Sequence, residues 1–342
     1  MGREAKRQML RAAIVGLGWW GRNLVESVQG KTDEIGFTAC CTRSPGKATE
    51  FCARHSIALV DSYDSILRDK NIDAVVLATP PSAHAGQVIA AAAAGKHVFV
   101  EKPFALTADT ARKAIVATQK AGVLLAVGFN RRFHPSMNEL RCRIRDGRLG
   151  AIAGFLIEHT APGGANIRPD EWRANQEETP AGAMTGIGIH IVDTMIDLFG
   201  AITEVHCIAT RRVAPLVDDT TAVLVRFKSG LSGVFYASFV TVPNYRVAVY
   251  GANGVAEILK PTQDEFRFAP LTDPKAGHLA QMKPEVIVTS GFDTLRAQLK
   301  EFAACVRDMR PYPISADQVL HGVEVFEAIA KSAKLGGPVV PG

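Results

Sequence analysis

The sequence has no cysteine pair at Cys-x-x-Cys spacing. Its six cysteines, Cys40, Cys41, Cys52, Cys142, Cys207 and Cys305, are scattered along the chain. That excludes a zinc finger or ribbon, predicts no metal, and points to reduced structural thiols. It also lacks a long hydrophobic run: residues 88–94 are stopped by Gly95, far short of the ~20 apolar residues of a membrane span. The N-terminus is charged, without a secretory apolar region or small-residue cleavage site. A cytoplasmic protein with no membrane partner is therefore expected. Nor is there a block of one charge sign. Lysine plus arginine is 39 against 34 acidic residues, a formal +5, and basic residues are not interleaved with stacking aromatics, so nucleic acid is not expected as a partner. Repeats and low-complexity tracts are absent as well.

What is present is a globular composition, 47% apolar and 21% charged over 342 residues, enough for two domains. The first part alternates short apolar runs with helical patterns, as βαβ units on a parallel sheet do. Strands are predicted at 12–15, 37–41, 74–78, 98–100 and 124–127, and helices at 21–28, 47–55, 83–94 and 108–121. Then the pattern changes. A helix at 136–145, a strand at 151–159, a polar loop at 163–179 and a helix at 189–198 precede successive strands over 205–259. Helices at 294–308 and 316–333 close the chain. An α/β domain followed by an α+β domain on an open, mostly antiparallel sheet is the expectation.

Gly16-Leu17-Gly18-Trp19-Trp20-Gly21 is a GxGxxG sequence directly after the first strand and at the start of a helix. Gly16 suits the tight turn, Gly18 the approach of a pyrophosphate, and Gly21 close packing of helix on strand. The helix N-terminus supplies free N–H groups to phosphate. An NAD site places a carboxylate about 20 residues on, for the ribose 2′-hydroxyl. Here the second strand is followed by Thr42-Arg43-Ser44, with Lys47 nearby, and by no carboxylate. A guanidinium and an ammonium suit a 2′-phosphate, so NADP(H) is expected in preference to NAD(H), which remains possible.

Four further segments follow in order: Ala78-Thr79-Pro80-Pro81 with His84; Ala93-Ala94-Gly95-Lys96-His97-Val98 leading to Glu101-Lys102-Pro103; Gly128-Phe129-Asn130-Arg131-Arg132-Phe133; and Gly188-Ile189-His190-Ile191-Val192-Asp193. With the glycine loop ahead of them, they make the chain resemble the Gfo/Idh/MocA oxidoreductases nearly end to end. The resemblance implies an N-terminal Rossmann doubly wound parallel sheet, here 1–127. A C-terminal α+β domain for substrate binding and oligomerisation, 128–342, would follow, its last helix packing back on the first domain. It also implies a small-molecule substrate between the domains and a homodimer or homotetramer through the C-terminal sheet.

Hydride transfer at a carbinol carbon needs a group that moves the hydroxyl proton and one that steadies charge on oxygen. Lys102, after the strand at 98–100, and His190, whose ordinary pKa lies near neutrality, are the catalytic candidates. Gly16, Gly18, Trp19, Trp20, Gly21, Thr42, Arg43, Ser44, Lys47, Thr79, Pro80, His84, Glu101 and Lys102 are the cofactor candidates. His159, Arg168, Trp172, Arg173 and Asp193 are the substrate candidates, because arginine clamps carboxylates and a tryptophan face walls a ring. One departure stands out. Many members of the family carry an aspartate four residues before the histidine, where this chain has Gly186. Either another acid such as Glu158 replaces it, or the substrate is bulkier or itself anionic, or the protein senses a dinucleotide or metabolite without turning it over. A cyclic diol dehydrogenase is a further reading, if Arg168 or Arg173 grips a carboxylate.

Overall fold

The structure is a computed structural model and describes residues 9–271 and 283–342. The chain divides into two compact units. The first comprises the described residues up to Asn130 together with Asp293–Leu320, and the second comprises Arg131–Phe292 and His321–Gly342. The first unit is thus not one continuous stretch ending near residue 127. It recruits a later segment.

The strands of the first unit are β1 (Leu10–Val15), β2 (Ile35–Cys41), β3 (Ala58–Leu59), β4 (Ala74–Leu77), β5 (His97–Glu101) and β6 (Leu125–Gly128), with helices α1 (Trp19–Val28), α2 (Pro45–Arg54), α3 (Tyr63–Arg68), α4 (Pro81–Ala93) and α5 (Ala108–Ala121) between them. They form one parallel sheet in the order β3-β2-β1-β4-β5-β6. Strand order reverses between β1 and β4, and the loops after these two strands part there. That is where such sheets bind ligands. The strands read as unbroken apolar runs because both faces are covered: Ala12, Ala13, Ile14 and all four residues of β4 are inaccessible to solvent. The short β3 and α3 were not anticipated.

Helix α4 stops where Gly95 takes a positive φ of 70°, which a residue with a Cβ adopts at a cost. The late helix α8 (Thr294–Arg307) packs on α1 and β2. Arg296 Nε donates to the Ser27 carbonyl at 2.7 Å, and Phe302 meets Phe99 edge-on at 5.7 Å.

The second unit opens with α6 (Pro135–Arg145) and β7 (Ile152–Thr160), then α7 (Ile189–Phe199) and the strands β8 (Ile202–Thr210), β9 (Thr220–Phe227), β10 (Ser232–Ser238), β11 (Asn244–Gly251), β12 (Gly254–Leu259), β13 (Glu265–Pro270) and β14 (Glu285–Val288). Their order is β14-β13-β12-β11-β7-β10-β9-β8. Every pair is antiparallel except β7 with β10, so the sheet is mostly antiparallel, as expected. The strands β13 and β14 extend it beyond the predicted range. Residues in β9 alternate buried and exposed, the period-two signature of a sheet with one covered face. On the covered face Phe155, Phe199 and Phe227 form a triangle with ring centroids 4.9–5.6 Å apart. Each such pair adds roughly 0.5–1.5 kcal/mol beyond the area it buries.

The last helix, α9 (Ala316–Leu335), was expected to pack back on the first domain. The division of units falls inside it instead. Its later turns serve the second unit, where His321 Nε2 accepts the Ile202 N–H at 2.9 Å and Ser332 Oγ accepts the Cys207 N–H at 2.8 Å.

Candidate functional site

The three loop glycines occupy three different environments. Gly16 has φ +93°, and a Cβ there would lie 2.6 Å from the Ala78 carbonyl oxygen, so the β1 and β4 ends touch through a residue without a side chain. At Gly21 a Cβ would come within 2.1 Å of the Gly16 carbonyl oxygen, which is the helix-to-strand approach the motif needs. A Cβ at Gly18 would meet nothing within 4 Å. Gly18 is therefore not required by the protein's own packing. It leaves open space at the N-terminus of α1, where no side chain caps the helix. Uncapped N–H groups beside open space fit a dinucleotide pyrophosphate.

At the end of β2, Thr42 is half-buried while Arg43, Ser44 and Lys47 are exposed. A further cation, not singled out beforehand, stands beside them. Arg22 donates from Nη2 to the Lys47 carbonyl at 2.6 Å and lies 4.8 Å from the Phe51 ring. Its position directly after the glycine motif was the available signal.

Past β4, Thr79 Oγ1 donates to Gln87 Oε1 at 2.6 Å, with Pro80 and Pro81 opening α4. His84, 1% exposed, has Nδ1 2.8 Å from the Pro103 carbonyl and Nε2 2.9 Å from the Thr79 carbonyl. One buried ring thereby joins the Thr79 loop to the loop that carries Lys102. The Lys102–Pro103 peptide is cis.

Beside it Glu101 is buried, 4% exposed, at the end of β5. Its Oε2 accepts the Lys102 backbone N–H at 3.3 Å. A Cβ on Gly128 of β6 would come within 2.7 Å of Oε1, so the carboxyl lies against bare backbone. Burial pushes Glu101 up to about 7, against the opposing pull of the Lys102 ammonium and the Trp20 indole N–H. The Lys102 ammonium lies 5.9 Å from the Trp20 ring centroid.

The second unit holds the other candidates. A π-helical turn, Met184–Gly188, leads into α7, whose second residue is the buried His190; such turns concentrate at functional sites. At Gly186 a Cβ would meet nothing within 4 Å. The His159 and His190 ring centroids are 6.1 Å apart. Arg131 Nη2 lies 3.0 Å from His159 Nε2, and because a guanidinium can only donate, Nε2 is the acceptor. The hydrogen is then on Nδ1, which donates to the Ile187 carbonyl at 3.1 Å. The Arg131 guanidinium also lies 4.1 Å over the ring of the fully buried Tyr245, whose hydroxyl is 3.2 Å from Thr194 Oγ1. This clamp of Arg131 and Tyr245 on His159 was missed. Arg131 stood in a quoted motif, but nothing marked Tyr245.

Several expectations change. His159, expected at the substrate, has both ring nitrogens committed to Arg131 and Ile187. Asp193, likewise expected there, has its two oxygens held by Arg132 at 2.8 and 2.7 Å; burial raises its carboxyl to about 6 while Arg132 opposes the shift. Glu158 does not replace the missing aspartate. Neighbouring strand residues face opposite ways, and Glu158 lies across from Arg246, 3.8 Å away, while His159 faces His190. Arg168 pairs with Asp170 and Glu171 at 3.3 and 3.2 Å, which offsets the charge a substrate carboxylate would use. Arg173 stacks 4.4 Å over Trp172. Among the described residues, no group of three or more His, Cys, Asp or Glu side chains could hold a metal ion, and no helix is long and apolar enough to cross a membrane.

A doubly wound sheet with this phosphate loop, followed by a buried glutamate at the end of β5 and a half-buried lysine directly after it, defines a nicotinamide-dependent oxidoreductase. Residues 10–129 match the oxidoreductase family with an NAD-binding Rossmann fold, and residues 137–257 match the GFO/IDH/MocA C-terminal domain; the chain belongs to the Gfo/Idh/MocA family. It is 29% identical to scyllo-inositol 2-dehydrogenase (NAD(+)) of Bacillus subtilis, over 96% of each chain. Against trans-1,2-dihydrobenzene-1,2-diol dehydrogenase of Mus musculus it is 30% identical, over 65% of this chain and 66% of that one. The structure of a levoglucosan dehydrogenase with NADH and levoglucosan shares the fold, with TM-score 0.88, 22% identity and coverage of 98% of this chain and all 100% of that one.

Proposed function

We propose that the protein moves a hydride between NADP(H) and a secondary alcohol or ketone of a sugar, polyol, sugar acid or cyclic diol. The observation that carries this is Lys102, which follows β5 at the carboxyl end of the parallel sheet, the end at which the glycine loop after β1 also lies. The nicotinamide supplies the hydride acceptor or donor. Gly16, Gly18 and Gly21 with the start of α1, including Trp19 and Trp20, hold the pyrophosphate. Thr42, Arg43, Ser44 and Lys47, joined by Arg22, face the 2′-phosphate. Thr79, Pro80, His84 and Glu101 shape the nicotinamide end.

In oxidation, His190 takes the hydroxyl proton and Lys102 steadies the charge that develops on oxygen. Trp172 and Arg173 contact the substrate. The open face of the second sheet, where Ile208 is 62% and Leu224 52% exposed, takes a second copy of the chain, since apolar side chains clustered this way mark association surfaces. The test incubates the protein and its Lys102→Ala variant with NADPH or NADH and a panel of ketoses, inososes and keto acids. Tighter NADPH binding is expected, together with turnover that the variant loses by about 10²–10³-fold, the span typical of removing one donor to a developing oxyanion. Equal or tighter NADH binding overturns the cofactor preference, and retained turnover removes Lys102 from the mechanism.

A further inference from the structure

The chain on either side of His190 is tied to the sheet of the second unit. Three residues before it, in the turn Met184–Gly188, the Ile187 carbonyl accepts from His159 Nδ1 at 3.1 Å. Four residues after it, Thr194 Oγ1 lies 3.2 Å from the Tyr245 hydroxyl. His159 and Tyr245 are themselves partners across β7 and β11, and their rings meet edge-on with centroids 5.2 Å apart. One guanidinium touches both. Arg131 lies 4.1 Å over the Tyr245 ring and donates from Nη2 to His159 Nε2 at 3.0 Å. From Nη1 it donates to the Pro261 carbonyl and to Gln263 Oε1, each at 3.3 Å, in the connection between β12 and β13. The planar fork is thus held from three directions, and all of its acceptors are uncharged.

We propose that Arg131 is a positioning residue for His190: by donating to His159 Nε2 it holds His159 as the neutral ring with its hydrogen on Nδ1, and that hydrogen fixes the Ile187 carbonyl in the turn that leads to His190. This rests on the reading of His190 as the group that takes the hydroxyl proton. Which nitrogen of a neutral imidazole carries the hydrogen is set by the bond the other nitrogen makes. A guanidinium has no acceptor and does not deprotonate, so Arg131 makes the choice in one direction only. The choice matters to the turn. With its hydrogen on Nε2, His159 would aim the Nδ1 lone pair at the Ile187 oxygen, acceptor against acceptor, at a separation that suits a donor. Full protonation of the ring is opposed as well, because it gives up the bond from Arg131 and sets two cations side by side. The charged and titratable groups placed against His159 are Arg131, Tyr245 from β11 and His190 from α7, while β10 contributes Ala237, which carries no charge.

The first part of the experiment reads the ring directly and needs neither substrate nor cofactor. Nitrogen NMR of the full-length protein with ring-labelled histidine is recorded from about pH 6 to pH 9, with His159→Gln to assign the signal and Arg131→Met and Tyr245→Phe alongside. In the parent, His159 is expected as the neutral ring protonated on Nδ1, still so at about pH 6, where an ordinary histidine is mostly charged. In Arg131→Met that form gives way to the Nε2-protonated or the charged ring. Tyr245→Phe loses the bond to Thr194 but keeps a ring under the guanidinium, and it retains the parent form. A parent ring protonated on Nε2 or charged at pH 6 overturns the proposal, whatever reaction the protein catalyses and even where Arg131→Met fails to fold. So does an Arg131→Met spectrum like the parent's, or a Tyr245→Phe spectrum like that of Arg131→Met. In the second part, with a substrate from the panel, Arg131→Met lowers kcat at least tenfold and changes cofactor KM less than threefold, as expected when a reacting group is displaced. A smaller loss of kcat with an altered His159 ring overturns the positioning role. Full turnover in His190→Ala removes the reading of His190 and leaves the assignment of the His159 ring to Arg131 standing.

Discussion

Two buried carboxylates, one in each unit, have opposite surroundings. Asp219 is inaccessible to solvent and fully engaged. Its Oδ2 accepts the backbone N–H groups of Arg212, Val213 and Ala214 at 2.6–2.8 Å, and its Oδ1 accepts the Thr220 hydroxyl at 2.9 Å. Burial alone would raise its pKa, but the three backbone donors outweigh it and the carboxyl sits below the usual aspartate range. Glu101 is nearly as buried and receives one long backbone bond and an ammonium next door. Its pKa moves the other way. A carboxylate surrounded by donors is a structural rivet that closes a loop. One left short of donors beside a lysine is a place where the fold gives up stability to keep charge adjustable, and such places cluster at functional sites.

The largest effect separating the two is expected at Asp219. Asp219→Ala strands three backbone N–H groups in the interior, at about 1–3 kcal/mol each before relaxation, so a loss of about 3–5 kcal/mol is expected from urea unfolding. Asp219→Asn keeps an acceptor and costs less. Because the folded pKa is depressed, the aspartate's contribution is full above about 3.8 and is lost as pH falls through the folded value. Parent and Asp219→Asn stabilities should therefore converge in acid. A loss below 1 kcal/mol for the alanine variant would mean that the loop is held by something other than Asp219.

How much of this contrast was legible in the sequence follows from what each feature depends on. The glycine loop and the β1, β2, β4 and β5 strands are local patterns of period and turn chemistry, and they were legible within a residue or two. Helix α1 starts two residues before its predicted first residue, since Trp19 and Trp20 are helical although nothing in their side chains announces it. The exposed β14 was not legible, because its pairing with β13, not its own composition, makes it a strand. The Glu158 alternative failed on alternation, a rule the sequence does contain: adjacent residues of one strand cannot both face His190. The Arg131–His159–Tyr245 clamp joins residues far apart in the chain, and no local signal assembles it. Nothing local marks Asp219, because its three backbone donors come together only in the folded chain.

A smaller effect of the opposite sign is expected at the other carboxylate. Glu101→Gln removes the ionisable group whose folded pKa, about 7, lies above its ordinary 4.5. For a raised acid the stabilising contribution is full below the unfolded pKa and is lost as pH rises through the folded one. The parent should thus lose stability between pH 4.5 and 7, and the glutamine variant should lose less. At pH 8.5 a gain of about 1–3 kcal/mol is expected for the variant by the linkage between pKa and stability. Destabilisation at that pH would show that Glu101 is anchored as firmly as Asp219, and the contrast would fail.

The smallest stability effect comes from placing a third carboxylate where the family usually has one. Gly186→Asp puts it four residues before His190, one turn away on the same side of the chain. A Cβ at Gly186 meets nothing within 4 Å, and its φ lies outside the left-handed region that favours glycine. Neither crowding nor backbone strain therefore opposes the change, and stability should stay within about 1 kcal/mol of the parent, as for substitutions that disturb no packed feature. The new carboxylate is neither riveted like Asp219 nor sealed like Glu101, so its effect should fall on chemistry. An anion near an imidazole favours the protonated ring, so the limb of the kcat/KM profile set by His190 in the proposed base role should move to higher pH. An unmoved limb with unchanged turnover would place the two side chains out of reach of each other.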